Sequence, residues 1–348
     1  MVRQCIALFI ALQAFLSGCS TDGRQRPMQF EHKGNTLSGT LYLPKGNSPY
    51  PLVVITHGDG EIPRDAFGYY KPFIKLFNQA GYVVASWDKP GVGKSTGNWL
   101  EQSMDDRATE LLAGIDQLRT KAIISKEKIG LLGFSQAGWV MPTAMIEDDR
   151  LSFMISVSTA INWHDQGRFL MTNRLQKEGY DNTALLAAFE FDSKVDRLLK
   201  ERANYEDYLN LMANAPACCN AIMSAERWSF VSLNHQSDST NELTQISKPM
   251  LFLFGNKDLN VNTQHNINII KEIFSRNNKT TPCHSIVSIE NADHSLLPAK
   301  QPRISTGNIG MLGRLLKIEL FGANAFAEGS LTALSEWLNS MDSEKSGC

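Results

Sequence analysis

The chain has 348 residues, of which 43% are hydrophobic and 20% are charged. This length and composition predict a substantial core in one large α/β domain that carries an insertion, and argue against a minimal domain or a disordered chain. The formal net charge of −2 shows no basic excess, so no nucleic-acid partner is predicted.

Residues 1–18 are typical of a secretory signal peptide. Residues 1–4 carry one basic side chain, residues 5–16 are almost wholly apolar, and small residues follow at 17 and 18. The apolar run is too short to cross a bilayer as a stable helix. We therefore expect this segment to be removed and to contribute nothing to the fold.

Residues 16–19 read Leu-Ser-Gly-Cys and resemble a bacterial lipobox. The resemblance implies cleavage before Cys19 and attachment of lipid to its thiol. Because Ser20 rather than aspartate follows, it also implies sorting to the outer membrane, with the protein facing the periplasm. The alternative is a secretory peptide cleaved near Gly18 without a lipid. Polar residues 19–27 are then the predicted tether between the anchor and the domain.

The first part of the core is predicted over residues 28–159 and begins with an edge hairpin over residues 28–43. The apolar run 52–55 predicts a buried central strand, which leads into the sequence Thr-His-Gly-Asp-Gly at 56–60. A glycine-rich turn at this point could present a backbone N–H of Asp59 or Gly60 to an oxyanion. His57 is more simply explained as a residue that braces this loop than as a base.

A predicted helix over residues 66–80, ended by Gly81, is followed by a buried strand over 82–87 and a turn that ends in Gly-Lys-Ser at 93–95, as in a phosphate-binding P-loop. A P-loop requires a glycine at position 88, where this chain has aspartate. The Asp88 carboxylate would repel the phosphates of a nucleotide. We therefore expect a structural turn here and no nucleotide partner.

A tight turn with a serine at its tip is the motif on which the functional prediction centres. After a helix over 103–120, the apolar run 129–132 predicts a strand, residues 133–138 read Gly-Phe-Ser-Gln-Ala-Gly, and an apolar helix follows. This order is that of a nucleophile elbow with Ser135 as nucleophile and the Gln136 N–H as an oxyanion donor. The usual pattern has glycine where this chain has Ala137. The alternative is an ordinary strand-turn-helix whose serine caps the helix.

Residues 160–247 predict helices and no strand, and they interrupt the core as a helical cap insertion; a separate helical domain without a catalytic role is the alternative. The segment contains the adjacent cysteines Cys218 and Cys219. Together with Cys283 and Cys348 they could form disulfides in an oxidising compartment, but the spacing does not determine a pairing. No cluster with metal-ligand spacing accompanies them, so no metal site is predicted.

The second part of the core is predicted over residues 248–341, with residues 342–348 as a tail. A strand over 249–254 ends shortly before Asp258, and a strand over 285–289 ends shortly before His294. Asp258 is the expected catalytic acid, and Asp165 and Asp293 are its rivals. Residues 298–325 carry no predicted role.

The chain from about 28 to 341 resembles an α/β-hydrolase, most closely the dienelactone-hydrolase-like and prolyl-oligopeptidase-like branch. The stretches that carry the resemblance are 56–58, 88–95, 133–138, 255–258 and 293–294. The resemblance implies a mostly parallel central sheet flanked by helices. It also implies a serine hydrolase that needs no cofactor.

Ser135, Asp258 and His294 occur in the chain order of the triad of these enzymes. The expected activity is therefore hydrolysis of a small-molecule acyl ester through an acyl-enzyme intermediate. A serine peptidase or a thioesterase would use the same machinery. A non-catalytic binding lipoprotein is the alternative from another class.

Overall fold

The computed structural model describes residues 24–276, 284–299 and 308–342. The strands, in chain order, are β1 Arg24–His32, β2 Asn35–Leu43, β3 Tyr50–Thr56, β4 Val83–Trp87, β5 Ile124–Phe134, β6 Phe153–Val157, β7 Met250–Gly255 and β8 Ser285–Ile289. The helices are α1 Lys71–Gln79, α2 Met104–Arg119, α3 Met141–Glu147, α4 Trp163–Lys177, α5 Asn182–Lys200, α6 Tyr205–Met212, α7 Ala225–Asn234, α8 Thr240–Gln245, α9 Thr263–Arg276, α10 Asn308–Phe321 and α11 Ser330–Asp342.

All eight strands form one sheet in the order β1-β2-β4-β3-β5-β6-β7-β8. The hairpin of β1 and β2 is antiparallel, β2 pairs antiparallel with β4, and the strands from β4 across to β8 are parallel to one another. Every residue of β4, β6 and β7 is buried, as expected for parallel strands covered on both faces. The carboxyl ends of the parallel strands therefore meet at one edge, where α/β folds place their ligands.

Helices cover both faces of this sheet. One face packs against α1 and α11, whose buried residues include Phe73, Phe77, Leu334 and Trp337. The opposite face packs against α2, α3 and α9, whose buried residues include Leu111, Ile115, Ala144 and Ile270. This is the three-layer architecture of the α/β-hydrolase fold that the sequence predicted.

The insertion between β6 and β7 contains the five helices α4 to α8. Within residues 160–247, all of which the structure describes, there is no strand; an isolated bridge joins Asn162 to Asp238. Several of its helices share a core of their own, which includes Phe191, Tyr208 and Trp228. We refer to residues 160–247 as the cap.

The structure differs from the sequence expectations at three places. Residues 24–27, assigned above to the tether, belong to β1 because their backbone continues the hairpin, with Pro27 opposite Thr40. The helix expected over residues 66–80 begins only at Lys71, and residues 66–68 form a separate 3-10 turn. The segment 298–325, for which no element was expected, contains α10.

The predictions about the amino terminus fall outside the described residues. These include the signal peptide over 1–18 and the lipid-bearing Cys19, and the same holds for Cys283 and Cys348. In the described ranges, no helix combines the length and the apolar character that crossing a bilayer requires. Cys218 and Cys219 are free thiols.

Candidate active site

The three residues of the predicted triad lie on different loops at the carboxyl edge of the sheet. Ser135 follows β5 directly, Asp258 follows β7, and His294 follows β8. The Nε2 atom of His294 lies 3.1 Å from the Ser135 Oγ, and its Nδ1 lies 2.7 Å from the Asp258 Oδ2. With Nδ1–H donating to the carboxylate, Nε2 is left to accept the proton of the serine hydroxyl.

The acid of this constellation is held rigidly by its own loop. The Asp258 side chain is fully buried, and its Oδ1 accepts hydrogen bonds from the N–H groups of Asn260 and Val261 at 2.7 and 2.9 Å. The other carboxylate oxygen is thereby kept directed at His294. The imidazole is fixed in the tautomer that a general base requires.

The surroundings of His294 adjust its basicity. Burial on its own lowers the pKa of His294, but the charge of Asp258 and the hydrogen bond to it raise the pKa more, as does the nearby Asp293. The net result is a pKa above the ordinary value of 6.5. The raised pKa makes the imidazole a stronger base than a free histidine, which favours transfer of the serine hydroxyl proton to it.

The turn that carries Ser135 is sterically demanding. Ser135 has a φ of 51°, a left-handed conformation that residues other than glycine rarely adopt. Strained backbone conformations of this kind occur often at active sites. A Cβ at position 133 would lie 2.7 Å from the Ala137 Cβ, and one at position 138 would lie 2.2 Å from the Ala160 carbonyl oxygen. The two positions that require glycine are therefore 133 and 138. Ala137 places its methyl group in the space that Gly133 leaves open.

The loop over residues 57–60, here called the oxyanion loop after its predicted role, passes directly beside Ser135. A Cβ at Gly58 would lie 3.3 Å from the Ser135 Cβ. Lys89, which follows β4, is almost fully buried and donates from Nζ to the carbonyl oxygens of Gly58 and Gly60 at 2.8 and 3.0 Å. Burial lowers the pKa of Lys89 well below its ordinary value.

The bonds from Lys89 determine how the peptide units of this loop are oriented. A trans peptide unit is planar, so its C=O and its N–H point in opposite directions. With the Gly58 carbonyl drawn towards Lys89, the N–H of Asp59 points away from Lys89. The bond from Lys89 to the Gly60 carbonyl orients the N–H of residue 61 in the same way. The two predicted oxyanion donors are the N–H groups of Asp59 and Gly60. Only the N–H of Asp59 belongs to a peptide unit that Lys89 orients.

Two arginines complete the support of the oxyanion loop. Arg107 of α2 is buried and donates to the His57 carbonyl oxygen at 2.6 Å and to the Gln136 Oε1 at 2.5 Å. Arg227 of cap helix α7 donates from both terminal nitrogens to the two Asp59 carboxylate oxygens, each at 2.9 Å. The Gln136 Nε2 also donates to the Asp59 Oδ1, at 3.1 Å. The residues predicted to supply the oxyanion donors are thus joined through their side chains.

His57 has no free nitrogen to offer Ser135. Its Nε2 donates to the Trp87 carbonyl oxygen at 2.6 Å, and its Nδ1 accepts from the Tyr70 hydroxyl at 3.0 Å. Burial lowers its pKa to about 3, so the ring stays neutral. The residue braces the start of the oxyanion loop, as expected from its position.

The Gly-Lys-Ser turn closes on its own aspartate. The Asp88 carboxylate accepts from the Arg64 side chain and from the Lys94 N–H, and a Cβ at Gly93 would lie 2.3 Å from it. Ser95 donates to the Asp88 carbonyl oxygen at 2.7 Å. The Asp88 carboxylate thus lies inside this turn and accepts the Lys94 N–H, as expected for a structural turn.

The rival acids have other partners. Asp293 accepts from the N–H groups of Ser295 and Leu297 and from Arg314 of α10, so it shapes the loop that carries the histidine. Asp165 lies on cap helix α4 and pairs with His265 at 3.1 Å. Neither carboxylate takes the place of Asp258.

Four basic residues of the site were not predicted from the sequence: Lys89, Arg107, Arg227 and Arg314. One signal was available, because Arg107 lies on the same helical face as Leu111, Ile115 and Leu118, where a charge is unexpected. No pattern marks the other three. Among the described residues, no group of three or more His, Cys, Asp and Glu side chains could hold a metal ion.

Comparison with known proteins gives one family match. A model of the family described as serine aminopeptidase, S33, matches residues 47–299, which is more than half of the chain.

Characterised and uncharacterised relatives match over part of their length. An uncharacterized 31.7 kDa protein from the traX-finO intergenic region of Escherichia coli is 25% identical over 164 residues, 44% of this chain and 56% of that protein. The esterase FrsA of Photobacterium profundum is 25% identical over 138 residues, 39% of this chain and 32% of that protein. The match therefore spans about half of the first relative and a third of the second.

Solved structures match over nearly the whole chain. The esterase Pf2001 of Pyrococcus furiosus has a TM-score of 0.57 at 18% identity, covering 93% of this chain and 95% of that one. The α/β hydrolase GrgF of Penicillium sp. sh18 has a TM-score of 0.55 at 18% identity, covering 91% and 98%. At this identity the likeness establishes the α/β-hydrolase fold and nothing finer.

Proposed function

This chain belongs to the serine aminopeptidase S33 family, and from that membership we propose that it is a serine hydrolase that cleaves carboxylic esters. The observation that carries the proposal is the hydrogen-bonded line from Asp258 through His294 to Ser135. The motifs at 56–58, 88–95 and 133–138 support the narrower assignment to the dienelactone-hydrolase-like and prolyl-oligopeptidase-like branch.

The proposed mechanism follows from these residue types. His294 Nε2 takes the hydroxyl proton as the Ser135 Oγ attacks the ester carbonyl carbon, and Asp258 stabilises the resulting imidazolium. The N–H groups of Gln136 and Asp59 hold the oxyanion, with Gly60 as the alternative to Asp59; the bond from Lys89 to the Gly58 carbonyl favours Asp59. Collapse of the intermediate expels the alcohol, which receives the proton from His294.

The second half of the reaction reverses these roles. A water molecule loses a proton to His294 and attacks the acyl-enzyme, and the proton then passes to Ser135 as the carboxylic acid leaves. No metal or redox group takes part in the proposed steps, because the triad and the oxyanion donors supply every proton transfer and charge stabilisation that ester hydrolysis needs.

Peptide hydrolysis is the second candidate. It is favoured by the family description, serine aminopeptidase, whereas ester hydrolysis is favoured by the names of FrsA and Pf2001. A thioesterase would use the same residues. Esters, peptides and thioesters can all be cleaved by the same triad, so the substrate class has to be determined by measuring turnover of each.

The experiment combines active-site labelling with turnover. A fluorophosphonate probe is expected to label the wild type but not Ser135→Ala, and p-nitrophenyl esters of increasing chain length are expected to be hydrolysed faster than aminoacyl p-nitroanilides. Faster cleavage of the anilides would establish the peptidase. A folded wild type that neither labels nor turns over any substrate would contradict the proposal and favour a non-catalytic binding lipoprotein.

We also propose that Cys19 carries a lipid that anchors the protein to the outer membrane, facing the periplasm. The Leu-Ser-Gly-Cys sequence at 16–19 and the apolar run before it support this. Incorporation of an alkyne-labelled fatty acid is expected in the wild type and lost in Cys19→Ala. Equal labelling of the two, or release of unlabelled wild type into the periplasm, would contradict the anchor.

A further inference from the structure

We propose that Arg227 of the cap is a positioning residue that neutralises Asp59 beside the oxyanion hole and so makes ester hydrolysis depend on the seating of helix α7. The inference rests on the proposed function and adds to it a residue outside the triad. It would mean that the cap, besides enclosing a substrate, completes the electrostatics of the catalytic centre.

The contact between the cap and the oxyanion loop is specific in geometry. Arg227 donates a hydrogen bond of 2.9 Å to each carboxylate oxygen of Asp59. This bidentate pair fixes the relative orientation of the two groups in addition to their charge attraction. One of those oxygens also accepts from the Gln136 side chain. Asp59 and Gln136 are the two residues whose backbone N–H groups are proposed to hold the oxyanion.

An unpaired carboxylate at this position would oppose catalysis. The transition state develops negative charge next to residue 59, and a second negative charge close by raises its energy. Desolvation by itself raises the pKa of Asp59, but the hydrogen bonds and the charge of Arg227 lower it by a larger amount, so the net pKa lies below its ordinary value while 45% of the side chain stays exposed. Asp59 is therefore ionised at neutral pH and needs a compensating cation.

The other cations around the loop are committed to different partners. Lys89 donates to the carbonyl oxygens of Gly58 and Gly60, and Arg107 donates to the His57 carbonyl and to the Gln136 side-chain oxygen. Arg227 is the cation that contacts the Asp59 carboxylate directly. Compensation of that charge by direct contact is therefore assigned to the cap.

Helix α7 is seated on the core by contacts that also position Arg227. The guanidinium of Arg227 lies over the Phe230 ring, 4.8 Å from its centre, and Phe230 packs edge-on against Trp99 of the core at 5.4 Å. Farther along α7, the Asn234 Oδ1 accepts from the Met104 N–H at 2.8 Å. Movement of α7 away from the core would withdraw the charge from Asp59.

The test is a set of four proteins: wild type, Arg227→Gln, Asp59→Asn and the double variant. Arg227→Gln removes the cation that contacts the carboxylate and leaves only the weaker effect of the Lys89 charge, so kcat on a p-nitrophenyl ester is expected to fall by about tenfold, less than the loss of a whole oxyanion donor. KM is expected to change by less than about twofold, because the charge acts on the transition state. Asp59→Asn removes the charge and keeps an oxygen for Gln136, so its loss should be smaller.

The double variant separates electrostatic compensation from a merely structural tie. If Arg227 serves to cancel the Asp59 charge, kcat of the double variant recovers to that of Asp59→Asn. If the pair only tethers the cap, the double variant stays as slow as Arg227→Gln, and the inference is overturned. Should Arg227→Gln fail to fold, Arg227→Lys replaces it. Because lysine keeps the positive charge but not the paired hydrogen bonds, its kcat is expected to stay within about threefold of wild type, and a folded Arg227→Lys protein that loses about tenfold or more would overturn the inference.

The matched control is Arg197→Gln, which removes an exposed arginine of cap helix α5 and should leave kcat unchanged. Labelling of every variant with the fluorophosphonate probe distinguishes the two levels of failure. A wild type without labelling or turnover contradicts the proposed function itself. An active wild type whose kcat is matched by Arg227→Gln contradicts only the role of Arg227.

Discussion

The proposed acid–base side and the proposed oxyanion side of the site are built in different ways. On the acid–base side, Asp258 is held by N–H groups two and three residues further along its own loop. Asp293, beside His294, accepts from the N–H groups of Ser295 and Leu297 in the same local manner. These carboxylates are oriented largely by short-range contacts.

On the oxyanion side the support comes from distant parts of the chain. The loop over residues 57–60 is held by Lys89 after β4, Arg107 of α2, Gln136 after β5 and Arg227 of the cap. Each of these contacts reaches the loop from a different element. From this comparison we expect the arrangement around Asp258 and His294 to tolerate changes elsewhere in the molecule better than the oxyanion loop does.

The largest loss of activity is expected from a substitution on the acid–base side. Asp258→Asn should lower kcat/KM for a p-nitrophenyl ester by about 10⁴-fold, because the amide favours the wrong imidazole tautomer and leaves the imidazolium unstabilised. Steady-state kinetics with a circular dichroism check of folding would measure this. Asp165→Asn, which changes a rival acid paired with His265, is the matched control; an equal loss there would contradict the assignment.

The next effect breaks the oxyanion side without touching the triad. Lys89→Met removes the donor to the Gly58 and Gly60 carbonyls, and kcat should fall by about 100-fold, as for loss of one oxyanion donor. KM should change little. Lys94→Met alters an exposed lysine of the same turn and should behave as wild type. Unchanged kcat in a folded Lys89→Met protein would show that the loop orients itself.

The pH dependence of kcat/KM tests the proposed role of His294 on the acid–base side. His294 must be neutral to accept a proton, so activity is lost as the pH falls through its pKa, and that pKa is raised above 6.5. The acid limb of kcat/KM is therefore expected above pH 6.5 in the wild type. In Asp258→Asn only burial and weaker charges remain, and the limb should move to lower pH; a limb that stays in place would assign it to another group.

The smallest effect concerns stability at the elbow. Gly138→Ala would bring a Cβ within 2.2 Å of the Ala160 carbonyl oxygen, and overpacking of this kind costs about 1–3 kcal/mol of unfolding free energy. Gly167→Ala, in cap helix α4, meets no atom within 4 Å and should be neutral or stabilising by up to about 1 kcal/mol. Urea denaturation of the two variants compares them, and equal stabilities would contradict the steric explanation.

The helix α10 illustrates why part of the fold was not predicted. Its residues Leu312, Leu316 and Leu320 are more than half exposed, whereas Ile318 is buried. An apolar pattern that does not face the core gives no usable amphipathic signal. The contact between Arg314 of this helix and Asp293 was unpredictable for the same reason, since it depends on where the helix docks.

The amino-acid sequence by itself determined the order of the buried strands and which residues follow them. Continuous apolar runs mark parallel strands covered on both faces, and the carboxyl ends of such strands meet at one edge. That rule alone brought Ser135, Asp258 and His294 to a common edge.

Only the tertiary structure decided what surrounds the oxyanion loop. Lys89, Arg107 and Arg227 reach carbonyl and carboxylate oxygens across the boundaries between elements, and such contacts have no period along the chain. A periodic pattern is a property of one element packing against a surface, whereas a hydrogen bond between two distant loops depends on the position of every element between them.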